Sequence, residues 1–160
     1  MERRLTTILS ADIAGYSRLM EEDESGTLAA LMERQASIVD PLLQRHGGRI
    51  VKTMGDGFLA EFASVVNAVQ FAAEMQTACE AMNAVVDEDR RMSYRVGINL
   101  SDVIAENNDV FGDGVNVASR LQSIADPGGV WISETVYQHV NRQLSYGFED
   151  LGRRQLKNIS

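Results

Sequence analysis

Apolar and β-branched residues crowd into Leu5–Gly15 (LTTILSADIAG), and that density predicts a strand. The acidic run Glu21–Gly26 (EEDESG) reads as a loop. From Ser25 onward Leu28, Leu31, Met32, Ile38, Val39, Leu42 and Leu43 recur at helical spacing. They predict a helix that Pro41 kinks and Gly47-Gly48 stops. Arg49–Thr53 and Gly57–Phe62 predict strands around Met54-Gly55-Asp56-Gly57, where Asp-Gly suits a hairpin turn. Ser64 is placed to cap a helix whose inner stripe is Val65, Ala68, Ala72, Met75, Cys79 and Met82. Met92–Leu100 and Asp102–Asn107 predict a further strand pair turning near Ser101, and Asp113 is placed to cap a helix over Gly114–Ala125. Pro127-Gly128-Gly129 marks a turn, Val130–Ser133 a short strand, Glu134–Val140 a short helix and Tyr146–Gly152 a late strand.

The core order is β-α-β-β-α-β with extra C-terminal elements. That order predicts an α+β fold of the ferredoxin-like type, an antiparallel sheet with its helices on one face. In it the first strand is expected beside the strand that opens the central hairpin, so that the end of the first strand meets the hairpin turn.

Composition narrows the function classes. A chain of 160 residues suits a single domain over 1–160. The abrupt end at Gln155–Ser160 (QLKNIS) suggests a domain excised from a longer protein. No apolar run reaches the length of a membrane span, so no membrane contact is expected of this segment. The single cysteine, Cys79, excludes an internal disulfide and a cysteine zinc cluster, and it fits a reducing cytoplasm. A net charge of −8 argues against a nucleic-acid partner, yet leaves room for a small anion bridged to acidic side chains by metal.

Four places carry candidate chemistry. Asp12 lies late in an apolar strand, where a carboxylate needs compensation; it either caps the following turn or meets a cation. Asp56 is either a plain turn residue or, converging on Asp12 through the expected topology, half of a carboxylate pair that divalent metal would relieve. Lys52 follows Ile50 and Val51 in a strand expected to be central, and reads as a solvated lysine or a ligand contact. Asn116 and Arg120 are one helical turn apart, forming either an outer polar face or an anion-reading pair. His46 and His139 lie far apart in sequence with no nucleophile signature, so a hydrolase triad is not expected.

Four successive stretches, ADIAGYS (Ala11–Ser17), VKTMGDGFLAEF (Val51–Phe62), YRVGINLSDVI (Tyr94–Ile104) and DVFGDGVNVASRL (Asp109–Leu121), resemble in order the motifs of class III nucleotidyl cyclase catalytic domains. The resemblance runs from about Leu5 to Lys157. It implies two divalent ions, Mg²⁺ or Mn²⁺, held by Asp12, Asp56 and the carbonyl of Ile13. It implies that backbone N–H groups at Tyr16 and Ser17 hold the terminal phosphates, with Lys157 a further phosphate contact. Lys52 and Asp109 match the pair that selects adenine, since Asp accepts from the N6 amino group and Lys donates to N1. Asn116 would fix the ribose and Arg120 would stabilise charge on the α-phosphate. The implied activity is an adenylate cyclase working on ATP as a head-to-tail homodimer, with metal carboxylates from one copy and base-reading groups from the other. The segment Glu106–Asn108 is shorter than in many relatives, which implies a weaker clasp on the partner. Alternatives are a guanylate cyclase, a non-catalytic nucleotide-binding module of the same fold, and a polymerase-palm or diguanylate cyclase enzyme. The last would show a GGDEF-like turn where this chain has MGDGF.

Overall fold

The computed structural model of the chain describes residues 2–144, 146 and 147. The late strand expected over Tyr146–Gly152 and the candidate Lys157 fall largely or wholly outside the described residues. Among the described residues six strands form one sheet: β1 (Glu2–Ile13), β2 (Gly48–Met54), β3 (Gly57–Phe62), β4 (Tyr94–Glu106), β5 (Asp109–Phe111) and β6 (Val130–Ile132). Their order is β2-β3-β1-β4-β5, all antiparallel, with β6 added parallel to β4. The stretch β2-β3-β1-β4 is the ferredoxin-like core the element order predicts. One detail differs: β1 pairs with β3, the second hairpin strand, which leaves β2 at an edge and Lys52 exposed there.

Strand alternation divides the sheet into two layers. Leu9, Ala11 and Ile13 of β1 enter the main core with Phe58, Ala60 and Phe62 of β3 and Tyr94, Val96 and Ile98 of β4. Covering that face are α4 (Val65–Asn83) and α6 (Glu134–Val140), together with Leu19, Val39 and Leu43 from the helices preceding β2. Ser64 and Ser133 cap α4 and α6 by accepting from Asn67 N–H and Val136 N–H. The predicted stripe on α4 is present: Ala68, Ala72, Met75 and Cys79 are buried, and Val65 and Met82 pack at its margin.

The helices do not all share one face. α5 (Asp113–Ile124) packs on the opposite layer, where Ala118 and Val115 meet Ile8, Leu59, Val103 and Val110. Gly97 makes this close approach possible, because a Cβ there would run into the Ala118 carbonyl and the Gln122 nitrogen. Asn99 Nδ2 donates to the Gly114 carbonyl at 3.1 Å and pins the start of the helix. Gly112, not Asp113, is the residue at the N-cap, and Asp113 sits in the first turn.

Two further expectations change. The single helix after the first strand is instead α1 (Tyr16–Glu22), α2 (Glu24–Arg34), a π-helical turn over Gln35–Val39 and α3 (Asp40–Arg45). Asp23, inside the expected acidic loop, separates α1 from α2 and caps α2 through the Gly26 N–H. Pro41 has no N–H to offer the preceding turn, and the ladder widens immediately before it. The strand pair turning near Ser101 is one continuous strand, β4, because Ser101 and Asp102 find partners in Thr6 and Leu5 of the similarly long β1. The turn comes at Asn107-Asn108, both with positive φ, as a two-residue hairpin requires.

Candidate active site

The last β1–β3 partners are Ala11 and Phe58, so the end of β1 abuts the turn that holds Asp56. The Ile13 N–H donates to Asp56 Oδ2 at 2.8 Å, joining the turn to the residue after Asp12. Gly57 permits the approach: a Cβ would run into the Ala11 carbonyl and lie 3.0 Å from the Asp12 Cβ. Asp12 and Asp56 are thus brought to one corner of the sheet, as the fold predicts, by way of β3.

Asp12 is compensated by an arginine. Arg95, directly opposite it in the β1–β4 register, donates from Nε to Oδ1 at 3.0 Å and from Nη2 to Oδ2 at 2.8 Å. Its third nitrogen, Nη1, donates to the Ser123 carbonyl near the end of α5 at 3.2 Å. Hydrogen bonding to Asp12 raises the Arg95 pKa against the opposing effect of burial. The carboxylate neither caps the following turn nor stands alone, and sequence reasoning missed this partner. Its only trace in the chain is a cation at an alternating position of an apolar strand, and placing it opposite Asp12 requires the register.

Lys52 and Asp109 meet across the sheet. Lys52 Nζ lies 3.3 Å from Asp109 Oδ2, and Asp109 Oδ1 accepts from the Val110 N–H at 2.7 Å. They sit on β2 and β5, the two ends of the five-strand path, so the sheet curls until its ends face each other. Val51 packs with Val103 and Val110 in the smaller core and carries that curl. A β-bulge between Ile50 and Lys52 adds to it.

Asn116 is exposed and Arg120 half-buried, four residues apart on α5. Tyr16 and Ser17 begin α1 itself, not the turn before it. There the first N–H groups of a helix have no intrahelical acceptor. Among the described residues, no group of three or more His, Cys, Asp or Glu side chains is placed to hold a metal ion. His46 contacts Glu74, and His139 contacts the Thr135 carbonyl.

These features make an α+β domain: a curled antiparallel sheet with α5 on one layer, and with Asp12 and Asp56 near the β1–β3 corner. Comparison with known proteins agrees: the chain belongs to the adenylate and guanylate cyclase catalytic domain family, whose model matches residues 2–159. It is 49% identical, over 99% of its length, to a Rhizobium meliloti (strain 1021) protein named "Putative adenylate cyclase 3", of which it covers 27%. It is 32% identical over 89% of its length to an adenylate cyclase of Streptomyces coelicolor, covering 35% of that protein. The chain therefore spans about a quarter to a third of these curated relatives. Among solved structures it resembles an adenylate/guanylate cyclase/hydrolase from Silicibacter pomeroyi, with TM-score 0.94 and 43% identity over 99% of this chain and 92% of that one.

Proposed function

We propose that this domain converts ATP to 3′,5′-cyclic AMP and pyrophosphate at sites built between two copies arranged head to tail. The observation that carries the adenine assignment is the pairing of Lys52 with Asp109 at 3.3 Å. These residues are remote in sequence, yet the curl of the sheet sets one donor cation beside one acceptor carboxylate. That is the complement of adenine N1 and N6; guanine, with O6 and N1–H, reverses both. A site with directional partners of this kind rejects the wrong base by roughly 10⁴-fold. Adenylate cyclases among the relatives point the same way.

The donor set at the β1–β3 corner fits divalent metal in kind. Asp12, Asp56 and the Ile13 carbonyl offer hard oxygens, the ligands Mg²⁺ and Mn²⁺ prefer, and the Ile13–Asp56 hydrogen bond keeps the two acidic residues adjacent. Two such ions, when bound, would supply activation of the ribose 3′-hydroxyl and neutralisation of the leaving pyrophosphate. Backbone N–H groups of Tyr16 and Ser17 at the start of α1 bind the terminal phosphates. From the other copy, Lys52 and Asp109 orient the base, Asn116 holds the ribose, and Arg120 stabilises charge that develops on the α-phosphate. Lys157 is assigned a supporting phosphate contact on the strength of the family resemblance.

The test is direct. The purified chain, supplied with Mn²⁺ and either ATP or GTP, should form cyclic AMP in preference to cyclic GMP, measured by chromatography. Preferential cyclic GMP formation would transfer the assignment to a guanylate cyclase. Nucleotide binding without turnover, in a chain shown to dimerise, would leave a non-catalytic module.

A further inference from the structure

The Asp12 oxygens assigned above to a divalent cation are both taken by one guanidinium. Arg95 grips them in parallel at 3.0 and 2.8 Å and is anchored at a third point by Ser123. The two residues face each other in the β-ladder, so the strand register presents one to the other. Only 26% of the Asp12 side chain and 28% of the Arg95 side chain are exposed, which limits the water available to replace either partner. Asp56 is held differently: it accepts from the neutral Ile13 N–H, and Arg95 acts on it through charge alone. A cation approaching this corner therefore meets a fixed positive charge on one of its two carboxylates.

We propose that Arg95 latches Asp12 in the nucleotide-free chain and competes with divalent metal for it, so that metal enters efficiently only together with an anion that draws the guanidinium away. The inference rests on the assignment of Asp12 as a metal ligand. Its consequence is reciprocal coupling: polyphosphate strengthens metal binding, and metal strengthens polyphosphate binding by the same factor. By itself, the chain is a poor binder of free divalent cations.

Mn²⁺ titration followed by electron paramagnetic resonance, on the full chain without nucleotide, tests this independently of turnover. Arg95→Ala should bind Mn²⁺ about tenfold more tightly than the wild type, within the usual range of coupling between sites. Arg95→Ala/Asp12→Asn should lose that gain. Inorganic triphosphate should improve Mn²⁺ binding by the wild type more than by Arg95→Ala. Circular dichroism and melting curves verify folding, and Arg95→Gln, which is neutral but keeps hydrogen-bonding capacity, serves if the alanine variant does not fold. Mn²⁺ binding that depends on Asp12 but is no tighter without Arg95 overturns the latch alone. Absence of Mn²⁺ binding by the wild type even with triphosphate, or binding indifferent to Asp12→Asn, overturns the metal assignment and the latch with it.

Discussion

Glu61 lies buried on the same layer of the sheet as Leu59, beneath two arginines from neighbouring strands. Arg4 Nη2 reaches its Oε1 at 2.6 Å, and Arg49 reaches the same oxygen from Nε at 2.7 Å and from Nη2 at 2.5 Å. Glu61→Gln keeps the shape and removes the charge. The Glu61 side chain is 8% exposed, but those of Arg4 and Arg49 are 35% and 43% exposed, so the orphaned arginines regain hydration. The loss is therefore that of charge-assisted hydrogen bonds discounted for screening, about 1.5–3 kcal/mol, and not the ~3–5 kcal/mol of a fully buried pair. In a domain of this size each kcal/mol moves the melting temperature by about 2–4 °C, so a drop of about 3–12 °C is expected at pH 7.

The pH dependence gives a second check. Burial pushes the Glu61 carboxyl up, but hydrogen bonds from Arg4, Arg49 and Thr6 outweigh it, and the net shift is downward. A carboxyl more acidic in the folded than in the unfolded state stabilises the fold above its unfolded pKa. That contribution is lost as pH falls through the folded value. The gap between wild type and Glu61→Gln should stay open above the ordinary glutamate pKa of about 4.3 and close below it. Melting curves followed by circular dichroism across this range decide the matter. Indistinguishable melting at pH 7, or a gap that survives unchanged into strong acid, would refute the reasoning.

Mixing Asp12→Ala with Arg120→Ala chains, each inactive alone, should restore about a quarter of wild-type turnover, since half the dimers then carry one intact site; no recovery between exchanging dimers would contradict shared sites. Lys52→Glu should lower the ATP-over-GTP ratio of kcat/KM by about 100-fold. Because the Lys52–Asp109 pair is substantially exposed, that change should alter stability by no more than about 1 kcal/mol in denaturant titrations. Gly57→Ala, whose Cβ would collide with the Ala11 carbonyl beside Asp12, should cost about 1–3 kcal/mol and depress turnover well below the melting temperature.

Much of the fold was legible because it depends on local pattern. The apolar density of β1, the Asp-Gly turn and the α4 stripe each specify an element without reference to the rest of the chain. The approach of Asp12 to the Asp56 turn was also legible, although β3 and not β2 is the neighbour of β1, because either strand of the hairpin ends at the same turn. What stayed hidden depends on pairing at a distance. Ser101-Asp102 has turn composition, and only the length of β1 keeps it in a strand. Arg95 is an ordinary strand cation until the register sets it opposite Asp12. Lys52 reads as belonging to a central strand, whereas its contact with Asp109 arises from a sheet curled until its ends meet.

β1 serves both layers at once: Leu9, Ala11 and Ile13 enter one core while Ile8 enters the other, and Asp12 turns toward Arg95. This two-fold alternation behaves like a reading frame. Loss or gain of a single residue between Thr6 and Asp12 would send every later side chain through to the wrong side, burying the carboxylate in hydrocarbon and turning Ile13 onto the layer of Arg95. Length changes in this strand can be silent only in pairs, so diversification of the domain is steered away from its centre and into the loops at its rim.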